Sequence, residues 1–179
     1  MSLEFDLAQT FFVDKDAVLE ADTCFITSVD LYFESKPVAG KTTTGIYKPG
    51  VTVQLCPVDN DVPNIEQAYP EQARLEYDSI NVSGTSTVPT KAQFNFPIMI
   101  KSGMSYAILV KFDGSDNDFA LWWNKAGEKI LDTTNTTQVS SGKVDGYFYT
   151  ITNGKTLTAL KNADLKFGLN FARFTTNEA

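Results

Sequence analysis

The sequence predicts an all-β fold, an antiparallel β-sandwich of jelly-roll type with roughly ten strands. Three observations carry this expectation. Apolar residues alternate with polar ones at period two over most of the chain and almost nowhere at period 3.6. Groups of Gly, Asn, Asp and Pro punctuate the alternating runs. The chain has 179 residues, 42% hydrophobic and 12% aromatic, which suits one domain spanning residues 1–179 with a core that needs no staples.

The strands follow in order. Phe25, Thr27, Val29, Leu31 and Phe33 fall on one face of the first clear run. Val51, Val53 and Leu55 alternate with Thr52 and Gln54, and Ala92, Phe94 and Phe96 alternate with Lys91, Gln93 and Asn95. Met104, Tyr106, Ile108, Val110 and Phe112 form another inward set, followed by Phe119, Leu121 and Trp123. Leu165, Phe167, Leu169 and Phe171 close the series. One wet and one dry face per strand is the mark of antiparallel sheets.

Turn signals stand at Lys48-Pro49-Gly50, Asp59-Asn60-Asp61, Lys101-Ser102-Gly103, Asp113-Gly114-Ser115 and Thr152-Asn153-Gly154. The last joins Tyr147–Ile151 to Thr156–Leu160 as a hairpin. Residues 34–50 and 126–146 read as long loops. Ile65–Leu75 carries a weak helical hint that Tyr69-Pro70 interrupts.

Charge and composition exclude several functions. Lys+Arg 15 against Asp+Glu 22 gives a net charge of −7, the wrong sign for nucleic acid or for anionic lipid. With no histidine, Ser-His-Asp and Cys-His catalysis and histidine-ligated zinc are closed. Cys24 and Cys56 are too few for a disulfide framework or a four-cysteine metal site, and read as buried free thiols. No apolar run approaches the ~20 residues of a membrane helix, and the opening residues lack the pattern of a signal peptide. The ending Thr175-Thr176-Asn177-Glu178-Ala179 suggests a domain cut from a longer chain.

Few residues suggest a site. Asp113, Asp116 and Asp118 place three carboxylates in one short stretch, but without the EF-hand spacing, so a solvated turn is favoured over calcium. Asn81-Val82-Ser83 and Asn135-Thr136-Thr137 match the N-glycosylation pattern by chance in a chain without a signal peptide. No motif points to a paired-carboxylate hydrolase. Adjacent strand residues face opposite ways, so Trp123 joins Phe119 and Leu121 in the core while Trp122 faces outward. The same parity sets Tyr147 and Tyr149 apart from Phe148. Trp122, Tyr147 and Tyr149 are the candidate contact residues, either covered by a loop or open to a partner.

The run of motifs resembles a β-rich module recurrent in baseplate and tail virion proteins of contractile-tailed phages. The matching residues begin with Leu7-Ala8-Gln9-Thr10-Phe11 and Phe25-Ile26-Thr27-Ser28-Val29-Asp30-Leu31-Tyr32-Phe33. They continue through Val51-Thr52-Val53-Gln54-Leu55, Asp59-Asn60-Asp61-Val62-Pro63 and Ile80-Asn81-Val82-Ser83. Phe94-Asn95-Phe96-Pro97, Gly103-Met104-Ser105-Tyr106-Ala107 and Asp164-Leu165-Lys166-Phe167 complete the match.

The resemblance implies a non-enzymatic assembly module located in the virion, without cofactor or catalytic residues. Its partners would be other virion structural proteins, with homo-oligomer formation open and no nucleic acid or membrane insertion. The alternative expectation is a lectin-like module that stacks host-surface glycan on Trp122, Tyr147 and Tyr149.

Overall fold

Alternating apolar and polar residues make strands that bury one face, and each such strand needs neighbours for its backbone and a second layer for its dry side. The computed structural model describes residues 5–14, 22–42, 45–114, 119–125, 146–160 and 162–172. The first half holds β1 (Phe5–Phe12), β2 (Thr23–Leu31), β3 (Phe33–Ser35), β4 (Gly40–Thr42), β5 (Gly45–Tyr47), β6 (Val51–Asp59), β7 (Val62–Pro63) and β8 (Gln72–Leu75). Then come β9 (Thr90–Lys101), β10 (Ser105–Phe112), β11 (Ala120–Leu121), β12 (Trp123–Lys125), β13 (Phe148–Thr152), β14 (Thr156–Leu160), β15 (Ala163–Leu165) and β16 (Phe167–Phe171).

The larger sheet runs β14-β13-β1-β10-β6-β7, with β8 also pairing β6. The smaller runs β16-β2-β9. All the paired strands are antiparallel. The fold is thus all-β and antiparallel, as expected; the strand orders establish the sandwich class and not the jelly-roll connectivity.

The turns form where their residues demand. Asn60 and Asp61 take positive φ in the β6–β7 turn, and Asn153 and Gly154 do so between β13 and β14, the primed geometry that matches strand twist. The 34–50 stretch is less of a loop than expected, because β3 and the β4–β5 hairpin lie within it. The helical hint at 65–75 resolves into a single 3₁₀ turn, Ile65–Gln67, and strand β8. Most of the expected 126–146 loop, and with it the Asn135 glycosylation pattern, lies outside the described residues.

One core fills the space between the sheets, with Ile26, Leu31, Phe33, Val51, Val53, Leu55, Ile100 and Ile108 fully buried. A second, smaller cluster covers the other face of the larger sheet. It contains Ala8, Cys56, Ala107, Leu109, Tyr149 and Ile151, with Ile65, Ala68 and Leu157 packed on it. The central strands of this sheet are therefore dry on both sides, which explains the unbroken apolar run Ala107-Ile108-Leu109-Val110.

Six residues face otherwise than expected. Where β2 pairs β9, the register jumps so that Thr27 alone opposes residues 94–97. The bulge reverses parity on β2, while on β9 the inward positions stay even-numbered on both sides of it, from Ala92 and Phe94 to Ile98 and Ile100. Cys24 and Ile26 point inward before it in place of Phe25 and Thr27, and Phe96, expected in the core, is 72% exposed. The Glu71 carboxylate holds the bulge by accepting from the N–H groups of Asn95 (2.7 Å) and Phe96 (3.1 Å). Met104 and Phe171, at strand ends where the facing layer runs out, are exposed. Trp123 pairs with the inward-facing Leu165, yet it is 48% exposed. It stands at the rim, where the tilted contact with Phe148 at 6.4 Å covers one side of the ring.

One polar side chain is sealed inside. Gln9 is fully buried on β1. Its Oε1 accepts from the Leu165 N–H at 2.7 Å, and its Nε2 donates to Thr10 O at 3.1 Å and to Asp164 Oδ1 at 3.3 Å. Burial raises the pKa of Asp164 above the ordinary aspartate value, opposed by that Gln9 hydrogen bond.

Phe33 has 0% exposure and meets Phe119 edge-on at 6.1 Å. Phe33→Ala should cost about 3–5 kcal/mol in denaturant unfolding; a loss under ~1 kcal/mol would remove Phe33 from the core. Cys24 and Cys56 are buried and unpaired, and burial raises both thiol pKa values, that of Cys56 to about 12. Thiolate is the reactive form, so a thiol reagent should label neither cysteine in the native protein and both after unfolding. Rapid native labelling would contradict this packing.

Candidate contact surface

Beyond the β2–β16 pairing, the two sheet strands diverge and the chain from Ala120 to Lys125 enters the fork. β11 pairs β3, β12 pairs β15, and Trp122 sits at the crossing. Its N–H donates to Tyr32 O at 2.9 Å, and its carbonyl accepts from the Lys166 N–H at 2.9 Å. Tyr32, Trp122 and Lys166 thus form a row across three strands. Their sequence neighbours Leu31, Phe33, Leu121 and Leu165 are all buried, so the row faces outward.

The loop 81–89 packs on this row. The Trp122 indole N–H donates to Ser83 O at 2.7 Å. Lys166 Nζ lies 4.5 Å from the Tyr32 ring centroid, in cation–π range. The same ammonium donates to Ser86 O at 2.6 Å and to Ser86 Oγ at 3.1 Å. Within the loop, hydroxyls link Ser83 to Thr85 at 3.1 Å and Thr85 to Thr87 at 3.0 Å. The Asn81 amide is turned onto Pro89 O at 3.1 Å. Trp122 is accordingly half-buried, with its polar atom engaged inside the protein.

Tyr147 and Tyr149 lie on the opposite side of the sandwich, on the second face of the larger sheet. Tyr149 is 7% exposed and donates its hydroxyl to Asp61 O at 2.8 Å. Burial first, then the Asp61 charge and Tyr147, raise its pKa. Tyr147 is 49% exposed, anchored by its N–H to Thr10 Oγ1 at 2.6 Å. The structure therefore does not gather Trp122, Tyr147 and Tyr149 into one surface.

The residues that sequence reasoning left out are Tyr32, Lys166 and loop 83–86. Their signal was present in the polar residues flanked by buried ones, but pairing across the fork depends on contacts far apart in sequence.

Asp113, first of the acidic trio, is committed elsewhere. Both its oxygens receive Arg74 guanidinium N–H groups, and Oδ2 also accepts from the Gly50 N–H at 2.9 Å. Asp116 and Asp118 lie outside the described residues. Among the described residues there is no group of three or more side chains suited to hold a metal ion, and no helix long and apolar enough to cross a membrane. Compared with known proteins, the chain matches no family model and no curated protein.

The Arg74 hydrogen bond is the main cause of a lowered Asp113 pKa. A carboxyl whose folded pKa lies below its unfolded value adds stability above the unfolded value and loses it as pH falls through the folded one. The Asp113 side chain is 41% exposed, so solvent screening keeps the term small. Asp113→Asn should lower stability at neutral pH by roughly 0.5–1 kcal/mol, and the difference should vanish in acid. Urea titrations at neutral and strongly acidic pH measure it; a constant difference would refute the ion-pair account.

Proposed function

We propose that this chain is a non-enzymatic assembly module that docks on neighbouring proteins of a phage tail or baseplate. The strand motifs that resemble the virion module support the setting. The observation that carries the docking role is the apolar end of the sandwich. There β1 ends, β2 begins, and the turn at 101–103 joins β9 to β10. Phe12 and Met104 are exposed at this end, and backbone bonds from Val13 N to Met104 O and from Gly103 N to Val13 O bring their segments together. Exposed aromatic and methionine side chains gathered at one end characterise contact surfaces.

The lectin-like alternative has one observation in its favour, the half-exposed rings of Tyr147 and Trp123. It is weakened because the Trp122 indole is engaged by loop 81–89 and Tyr149 is buried.

Phe12→Ser with Met104→Ser should leave the melting temperature within a few degrees while abolishing incorporation into phage particles, followed by antibody labelling of purified virions. Normal incorporation would reject this docking surface. Saturable tryptophan quenching by oligosaccharides in the unmodified chain would instead favour the glycan reading.

A further inference from the structure

An edge strand presents a row of unpaired N–H and C=O groups, and folded proteins blunt it with charges, proline, bulges or a covering segment. β9, an outer strand of the smaller sheet, has such devices in number. It carries Lys91, Pro97 and Lys101, the bulge at 94–97, and the Glu71 carboxylate capping two of its N–H groups. β16, on the other side of β2, is half-buried from Phe167 to Asn170.

β14 differs. It is the outer strand of the larger sheet, paired only with β13 among the described residues. Its sequence Thr156-Leu157-Thr158-Ala159-Leu160 has no charge and no proline, and its register with β13 runs without a bulge. Thr156, Thr158 and Ala159 are exposed, while Leu157 and Leu160 are half-buried. Leu157 packs on the second cluster and Leu160 on the main core, so each half-covered leucine lies at the margin of a core that ends at this edge.

We propose that the β14 edge left unpaired among the described residues is a self-association site, at which β14 of a second copy of this chain pairs antiparallel with it. A two-fold axis normal to the sheet keeps the inner faces on one side only when residues of the same parity meet. Registers centred on Leu157, Thr158 and Ala159 all meet this condition, but centring on Thr158 sets the half-buried Leu157 against Ala159, and only centring on Leu157 sets it against its own copy.

We take the register centred on Leu157. Leu157 then meets its own copy, Thr156 faces Thr158, and Lys155 faces Ala159. The paired leucines extend the second cluster across the junction, and threonine pairs line the inner face, a favourable cross-strand combination. The core margin at Leu157 thus selects this register. The contact is a short ladder, of the small class that forms weak, concentration-dependent complexes.

Sedimentation equilibrium up to a concentration on the order of 100 µM tests this. The mass of the unmodified chain should climb from 19.8 kDa toward twice that value. Thr156→Lys with Thr158→Lys brings like charges face to face in the chosen register and should leave a monomer. Thr156→Glu with Thr158→Lys brings opposite charges together and should dimerise at least as well as the unmodified chain. All the substitutions are at exposed threonines, and circular dichroism melts within a few degrees of the unmodified chain show that folding is intact. An unmodified chain that stays monomeric overturns the proposal, as does a dimer that survives the double lysine variant. A monomeric Glu/Lys variant rejects the register, and with it the site as drawn.

Discussion

Gln9 binds the two layers together at the side where the sandwich would otherwise open. From the middle of β1 its amide accepts from the Leu165 N–H and donates to Asp164 and to Thr10 O. A buried amide left unpaired costs on the order of 1–3 kcal/mol, so β15 must return to this point for the core to be dry. That return fixes Lys166, the next residue, whose N–H and ammonium in turn place Trp122, Tyr32 and loop 83–86. The outer row is therefore built on an interaction buried one layer beneath it. The carboxyl of Asp164, raised in pKa by burial, is the less comfortable member of this arrangement.

The faces of the sandwich play different parts. The outer row of the smaller sheet is internally satisfied: cation–π contact covers one face of Tyr32, and the Trp122 indole has its acceptor. The second face of the larger sheet is packed by its own chain, with Ile65, Ala68 and Leu157 over Tyr149 and Ile151. Among the described residues, Phe12 and Met104 at the apolar end and the outer edge of β14 stand open, as does Phe96 in the bulge.

Much of this was legible in the sequence, for local reasons. Period-two alternation identified the antiparallel strands, and Asn153-Gly154 specified its hairpin because that turn needs positive φ at both positions. The failures share a cause. Phe25 and Thr27 were placed by counting parity through a bulge, and Phe96 has the inward parity of Phe94 and Ile98 but stands in that bulge, which a distant carboxylate, Glu71, holds in place. Trp123 has the right parity and the wrong exposure, since parity gives direction and not what lies in that direction. The three aromatic residues read as one contact set belong to opposite sides of the molecule, because Trp122 faces out from one sheet and the two tyrosines from the other.

Gly146 shows how far the influence of the buried amide reaches. A β-carbon there would fall 2.1 Å from Thr10 O and 3.2 Å from Gln9 Nε2, so the position is reserved by space, not by backbone dihedral. Any side chain would push β13 off β1 and press on the amide that locks β15. A glycine bordering a long polar stretch therefore has the mutational intolerance of a core residue. Surveys of sequence variation that score sites by hydrophobicity alone would rank it among the most expendable.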